Sequence, residues 1–137
     1  MSRYGSIEYR ITARIARKKS PVFVRDDFID ISDYDQVGRA LRNLTKKGRL
    51  IRLGYGVYAK AKISPINSQP VPVAPLPTLA KEALQRLGVE TAPSRLEQAY
   101  NAGKTTQVPT GRLIGVKSRV NRKLGYRGAY ISYERVA

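Results

Sequence analysis

A chain of 137 residues has room for one modest core, or two small ones that lean on each other, and not for a large enzyme with its own cofactor domain. It contains no cysteine and no histidine, which excludes disulfides, thiolate zinc sites and serine-histidine or cysteine-histidine chemistry within the chain. The 26 Lys and Arg against 10 Asp and Glu leave a formal charge of +16, a field that attracts polyanions, nucleic acid first among them.

Ile7, Ile11 and Ile15 recur every fourth residue while Arg10, Arg14, Arg17 and Lys18 take other faces, the pattern of an amphipathic helix. Ser6 is placed to cap its start, Glu8 suits the positive end of its dipole, and the basic run at its close suits the negative end. "SPVFV" at 20–24 is β-branched after a proline and predicts a short strand. "RDDFIDI" predicts a short second helix opened by Asp26 or Asp27. The third predicted helix is the clearest: Asp33 and Gln36 have capping-box spacing, Val37, Ala40, Leu41 and Leu44 form one apolar stripe, and Lys46, Lys47 and Gly48 give the stop. "RLIRL" and "VYAK" then read as two strands across Gly54-Tyr55-Gly56, whose glycines permit the positive φ of a tight hairpin. Helix, strand, helix, helix, hairpin is the layout of a winged helix-turn-helix, with the third helix bound for the major groove and the hairpin as wing.

The segment 64–77 has five prolines in fourteen residues, which remove backbone donors and favour an extended linker or a strap over the surface. "TLAKEALQRLG" and "SRLEQAYNAG" predict two further helices, the second capped by Ser94, and strands are expected near "RLIGVKS" and "AYISYER". The expected fold class is therefore α+β: a winged helix-turn-helix over 1–63, a proline-rich linker or strap over 64–77, and a small α+β unit over 78–137. The charge follows this division, with +9 over 1–63, none net over 64–103 and +7 over 104–137.

If the third helix reads DNA, its outward positions are Gln36, Arg39, Arg42 and Asn43, with Lys46 beside them. Arginine donates a fork to guanine, Gln and Asn pair with the adenine edge, and lysine neutralises phosphate. Arg49, Arg52, Lys60 and Lys62 flank the wing, with Tyr55 at its tip, and are assigned to the backbone or minor groove. A solvated helix face has the same composition. Lys117, Arg119, Arg122, Lys123 and Arg127, interleaved with Tyr126, Tyr130 and Tyr133, form a second basic patch suited to phosphate attraction and stacking.

Enzyme chemistry finds little support. Gly103-Lys104-Thr105 suggests a phosphate loop, yet Gln98 stands where that motif needs a glycine. Asp26, Asp27, Asp30, Asp33 and Asp35 cluster where helix starts need caps. No catalytic residue, metal site or cofactor is expected. "MSRYGSIEYR" lacks the apolar region of a signal peptide and no run of about 18 apolar residues occurs, so a cytoplasmic, non-membrane protein is expected, nucleoid-associated when bound.

The stretch "VFVRDDFIDISDYDQVGRALRNLTKKGRLIRLGYGVYAK" resembles the N-terminal winged-helix segment of AbiEi-like antitoxins of type IV toxin-antitoxin systems, and among them the small DUF6088 members. The resemblance rests on Phe23 and Phe28, on Leu41, Leu44, Lys47 and Gly48, on Arg52, Gly56 and Tyr58, and on the later Thr106-Gln107-Val108-Pro109. Ala59-Lys60-Ala61-Lys62 departs from it, since a proline is expected sooner after the wing. The resemblance implies a sequence-specific repressor of its own operon that binds an inverted repeat in double-stranded DNA, an operator that usually takes two protein copies but can also be bound by one winged helix per half-site without a tight dimer. It also implies opposition to a nucleotidyltransferase-like toxin without a stable complex. Composition and spacing alone equally suit an RNA-binding or ribosome-associated basic protein, and a second unit that meets a toxin or another copy of the chain.

Overall fold

A computed structural model describes residues 6–137. Ser6 has extended backbone and its hydroxyl accepts the Tyr9 N–H at 3.0 Å, satisfying a donor that the first helical turn leaves unpaired. Helix α1 (Ile7–Arg17) follows, turning Ile11 wholly inward with Ile7 and Ile15 packed at the margin of the core.

Strand β1 (Val22–Val24) leads into a single 3-10 turn, Arg25–Phe28, and then helix α2 (Tyr34–Lys46). The expected second helix is thus corrected to one 3-10 turn. Phe28 and Ile31, three apart, are both buried and are joined by a 3.0 Å backbone bond of the i to i+3 kind, while Ile29 between them faces solvent. Inward positions spaced by three suit the 3-10 period. Asp33, capping α2 two residues later, leaves no length for another turn.

Strands β2 (Leu50–Gly54) and β3 (Val57–Ile63) form an antiparallel hairpin, and β1 pairs with the other edge of β3 to give the order β1-β3-β2. Phe23, Tyr58 and Arg52 stand opposite one another across this sheet and share a face. On that face the core gathers Ile11, Phe23, Phe28, Val37, Leu41, Leu44, Leu50 and Tyr58. The helices supply a narrow apolar stripe and the sheet supplies its large rings. β3 runs on past the expected strand end, and β4 (Pro70–Pro72) pairs with Ala61–Ile63 of it. The proline-rich segment is therefore in part a sheet strand. A proline within 59–62 would remove donors from the β3 ladder.

One contact sets an expected pH response. Arg14 grips the Asp30 carboxylate with its two terminal guanidinium nitrogens, one bond being 2.7 Å, and donates to the Asp27 carbonyl at 2.9 Å. The hydrogen bond from Arg14 holds the Asp30 carboxyl at about 2, below its ordinary 3.8. A depressed carboxyl contributes stability that is present above its ordinary value and is lost as pH falls through the folded one. In thermal melts from pH 5 to pH 2, the wild type should lead Asp30→Asn at the upper end, and the gap should close toward pH 2. A gap that is constant across that range would show that the pair does not stabilise the fold.

The chain folds as one unit up to Ala74 and another from Pro75. In the second, α3 (Leu76–Arg86) buries Leu79, Ala80, Ala83 and Leu84, and β5 (Thr91–Ala92) follows. Helix α4 (Arg95–Asn101) starts at a reciprocal cap: the Ser94 hydroxyl accepts from the Glu97 N–H, and the Glu97 carboxylate accepts from the Ser94 N–H, both at 3.1 Å. β6 (Leu113–Val116) pairs antiparallel with β5 and parallel with β9 (Ser132–Arg135). Between these, β7 (Gly125–Tyr126) and β8 (Ala129–Tyr130) make a separate tight hairpin. The chain is mixed α+β throughout. Among the described residues, no helix is long and apolar enough to cross a membrane.

Candidate nucleic-acid interface

Two local signals place α2. At its start the Asp33 carboxylate accepts the Gln36 N–H at 2.8 Å. At its end Gly48 takes φ 77°, and the N–H groups of Gly48 and Arg49 return to the carbonyls of Thr45 and Leu44 at 3.0 and 2.9 Å. This is the glycine-dependent Schellman closure. A side chain at 48 would also sit 2.7 Å from Pro70 Cγ, so β4 closes over this same glycine.

Between these ends Val37, Ala40, Leu41 and Leu44 are buried, whereas Gln36, Arg39, Arg42, Asn43 and Lys46 are all exposed. The helix thus presents two amides and three cations on one surface, held by the core behind it. Arg49 follows directly and is exposed, as is Arg52 on β2, whose Nε donates to the Gly54 carbonyl at 3.3 Å. Hydrogen bonds to charged groups are strong when desolvated, but this one is at the surface and chiefly orients the guanidinium.

Lys60 does not join this surface. Its ammonium turns inward and donates to the Lys18 carbonyl at 2.5 Å, the residue that ends α1, and lies 5.9 Å from the Phe23 ring centre. A carbonyl left over at a helix end draws a cation by its partial negative charge. In the structure Lys60 is thus a tie between β3 and the residue that caps α1. Lys62 is exposed but lies beside Val71 of β4, at the end of β3 remote from the hairpin turn.

Tyr55 is 65 % exposed at the turn, next to Gly56 with φ 68°. Its hydroxyl lies 3.2 Å from that of Tyr34, the first residue of α2. This bond raises the Tyr34 phenol above the ordinary tyrosine range, because ionisation would forfeit it. The Arg25 guanidinium packs over both rings, 4.1 Å from the centre of Tyr34 and 5.6 Å from that of Tyr55. Gly38 also lies against it: a Cβ there would approach Arg25 Nη2 to 3.0 Å. Hairpin tip, helix start and 3-10 turn are therefore tied through one arginine.

Sequence patterns alone do not single out Arg25 and Tyr34. The one local signal for them is a glycine in the middle of a helix, which is about 1 kcal/mol less favourable than alanine unless something needs the space.

The acidic residues serve the frame. Asp33 caps α2, Asp30 pairs with Arg14, and Asp27 accepts the Val24 N–H at 2.9 Å and pairs with Lys18 at 3.1 Å. Among the described residues, no group of three or more acidic side chains is arranged to hold a metal ion.

The second basic patch belongs to the unit from Pro75 onward. Arg119 is exposed, and Lys117 donates to the Ala137 carbonyl at 2.6 Å. Arg122 is half-buried, and its carbonyl accepts from the Tyr133 hydroxyl at 2.8 Å. Burial raises the Tyr133 phenol above its ordinary range. Lys123 and Arg127 lie over Tyr130 and Tyr126, at 5.8 and 5.2 Å from the ring centres.

The fold and this surface define a small, basic α+β protein whose most regular cationic face is one side of a helix beside a hairpin. The chain belongs to DUF6088, a family of unknown function, whose pattern matches residues 10–127. No curated protein and no solved structure matches it.

Proposed function

We propose that this protein is a sequence-specific DNA-binding regulator of the winged helix-turn-helix kind, with α2 as recognition helix and the β2-β3 hairpin as wing. The observation that carries this reading is the single exposed face of α2, on which Gln36, Arg39, Arg42, Asn43 and Lys46 stand clear of the buried stripe. In this assignment the 3-10 turn stands where the second helix of the motif would be. Gln36, Arg39, Arg42 and Asn43 meet base edges, while Lys46, Arg49, Arg52 and the Tyr55 turn hold the adjoining backbone or minor groove. The resemblance to AbiEi-like antitoxins supports a narrower form: an autorepressor of a type IV toxin-antitoxin operon, binding an inverted repeat as two copies.

The test is fluorescence anisotropy with the duplex upstream of the protein's own gene and with a shuffled duplex, each across a salt series. If about six phosphates are engaged, log K should fall with log salt at a slope near −5. The upstream duplex should keep a preference of a hundredfold or more at near-physiological salt. Arg39→Ala should lose about 1–3 kcal/mol of discrimination at one base pair while leaving shuffled-duplex binding far less affected. Equal losses on both duplexes would remove Arg39 from the base-reading set. Curves for the two wild-type titrations that run parallel and collapse together with salt would reduce the reading to nonspecific attraction by the +16 charge.

A further inference from the structure

We infer that the β3-β4 hairpin and the apolar groove beside it form a contact between two copies of this chain, related by a two-fold axis. The contact is a property of the first unit alone. It rests on the DNA-binding reading above only for its use, which is to pair two copies on an inverted repeat.

The tip of this hairpin is ordered by its own hydrogen bonds. The Ser64 N–H donates to the Gln69 carbonyl at 2.9 Å, the Ser68 N–H to the Ser64 carbonyl at 3.0 Å, and the Ile66 N–H to the Ser64 hydroxyl at 3.2 Å. Ile66, held in this turn, is nonetheless 93 % exposed, and Ile63 at its start is 60 % exposed. Single apolar side chains at a surface need no explanation, but these two adjoin a hollow.

The hollow is a groove of about 380 Å³ lined by Ile15, Ala16 and Leu44 of the helices and by Leu50, Ala61 and Ile63 of the sheet. Ile63 lines the groove and also begins the turn that carries Ile66, so knob and hollow are neighbours on one surface. In a two-fold contact each copy meets the same surface of the other. A knob beside a hollow is then matched twice, with Ile66 of each copy entering the groove of the other.

Electrostatics select the occupant. Two copies at +16 each repel one another unless they meet where charge is absent. No Lys, Arg, Asp or Glu occurs from Ile63 to Ala80, the longest uncharged run of a chain in which 26 % of residues are charged, and its first part is this hairpin. The groove also touches Lys47, Arg49 and Lys62, and Lys47 is already paired with Glu8. To these cations the entering tip presents Ser64, Asn67, Ser68 and Gln69, which bring oxygen acceptors and no further positive charge.

Strand β4 sets the manner of contact. It pairs only with β3 among the described residues, and its prolines at 70 and 72 leave Val71 as its one backbone donor. Strand addition along this edge is blocked, which prevents an open series of copies. The contact is therefore made by side chains and closes at two. One hairpin in one groove is small for a protein interface, so the dimer is weak and depends on concentration.

The experiment is sedimentation velocity of the full chain, freed of nucleic acid, over a wide range of protein concentration at low and at high salt. Wild type is compared with Ile66→Ser and with Ile29→Ser, the latter removing a 74 % exposed isoleucine that does not line the groove. Wild type should pass from monomer to dimer and no further, with more dimer at high salt, where repulsion between the copies is screened. Ile66→Ser should weaken the dimer about tenfold or more, because each copy forfeits the burial of an isoleucine side chain. It should melt with wild type, since that side chain supports nothing within the monomer, and Ile29→Ser should dimerise as wild type does. A wild type that stays monomeric at every concentration and both salts would overturn the inference, as would a dimer that Ile66→Ser leaves intact. Association that weakens as salt rises would also overturn it, because that sign marks an acidic protein or residual nucleic acid bridging cationic faces. No DNA is present in these measurements. Failure of the upstream duplex to outcompete the shuffled one would therefore remove the use on DNA and leave the dimer standing, whereas a monomer in solution would remove the dimer and leave the face of α2 untouched.

Discussion

Phe23→Ala is expected to lower the unfolding free energy by about 3–5 kcal/mol, the range for removing a buried phenylalanine from a packed core. Phe23 is wholly buried on β1, opposite Tyr58 on β3, with its ring centre 6.0 Å from that of Phe28. It therefore joins the sheet to the 3-10 turn on the face where Leu41 and Leu44 of α2 pack. The large cost has two sources, the lost transfer of the ring and the cavity that neighbours from different elements cannot collapse into. Domains of this size have only about 5–15 kcal/mol in total. Chemical denaturation should show a lower midpoint. A midpoint within about 0.5 kcal/mol of wild type, the scale of a surface change, would mean that the ring is not a core element.

The second large effect is expected from Gly115→Ala, and its cause is backbone proximity. Gly115 lies in β6 directly opposite Ala92 of β5, and an added Cβ would stand 2.3 Å from the Ala92 carbonyl oxygen and 2.9 Å from that of Pro93. A flexible side chain could yield, but these are main-chain atoms, so the pairing of β5 with β6 must shift. Overpacking typically costs about 1–3 kcal/mol, and more where the backbone has to move. The N–H of Lys117, which donates to the Glu90 carbonyl at 3.0 Å just beyond this pair, should lose hydrogen-exchange protection. Unchanged protection there, with an unchanged midpoint, would show that the strands have room for a methyl group.

Both effects show where the sequence is legible. Gly115 sits inside "RLIGVKS", whose pattern predicts a strand without explaining why it holds a glycine. The explanation lies at Ala92 and Pro93, in and beside a two-residue strand too short to leave any periodic signal. The same limit hides β4, since prolines at 70 and 72 argue locally for an extended linker, while pairing with β3 is a long-range event. The β7-β8 hairpin escapes sequence patterns because Arg127-Gly128 is not a recognised hairpin dipeptide; only the backbone reveals that arginine has taken the left-handed position.

The candidate surface divides in the same way. The exposure of Gln36, Arg39, Arg42, Asn43 and Lys46 is legible because a helix repeats every 3.6 residues, so the stripe of Val37, Ala40, Leu41 and Leu44 also defines the opposite face. Lys60 and Lys62 look equivalent in sequence. The first is drawn to the Lys18 carbonyl and the second lies remote from the turn, a difference that depends on which helix end lies near β3.

By itself, the sequence determined the polyanion-attracting charge, the absence of thiol and imidazole chemistry, the caps and stripe of α2, and the glycine turn of the β2-β3 hairpin. Each follows from composition or from residues within one helical turn or one hairpin of each other. Only the tertiary structure decided that the second helix is a 3-10 turn, that Lys60 faces inward, that Arg25 packs on both Tyr34 and Tyr55, and that β4 and β5 exist. These depend on which distant groups meet. Such meetings are selected by the free energy of the whole packed arrangement, which no local window of sequence contains.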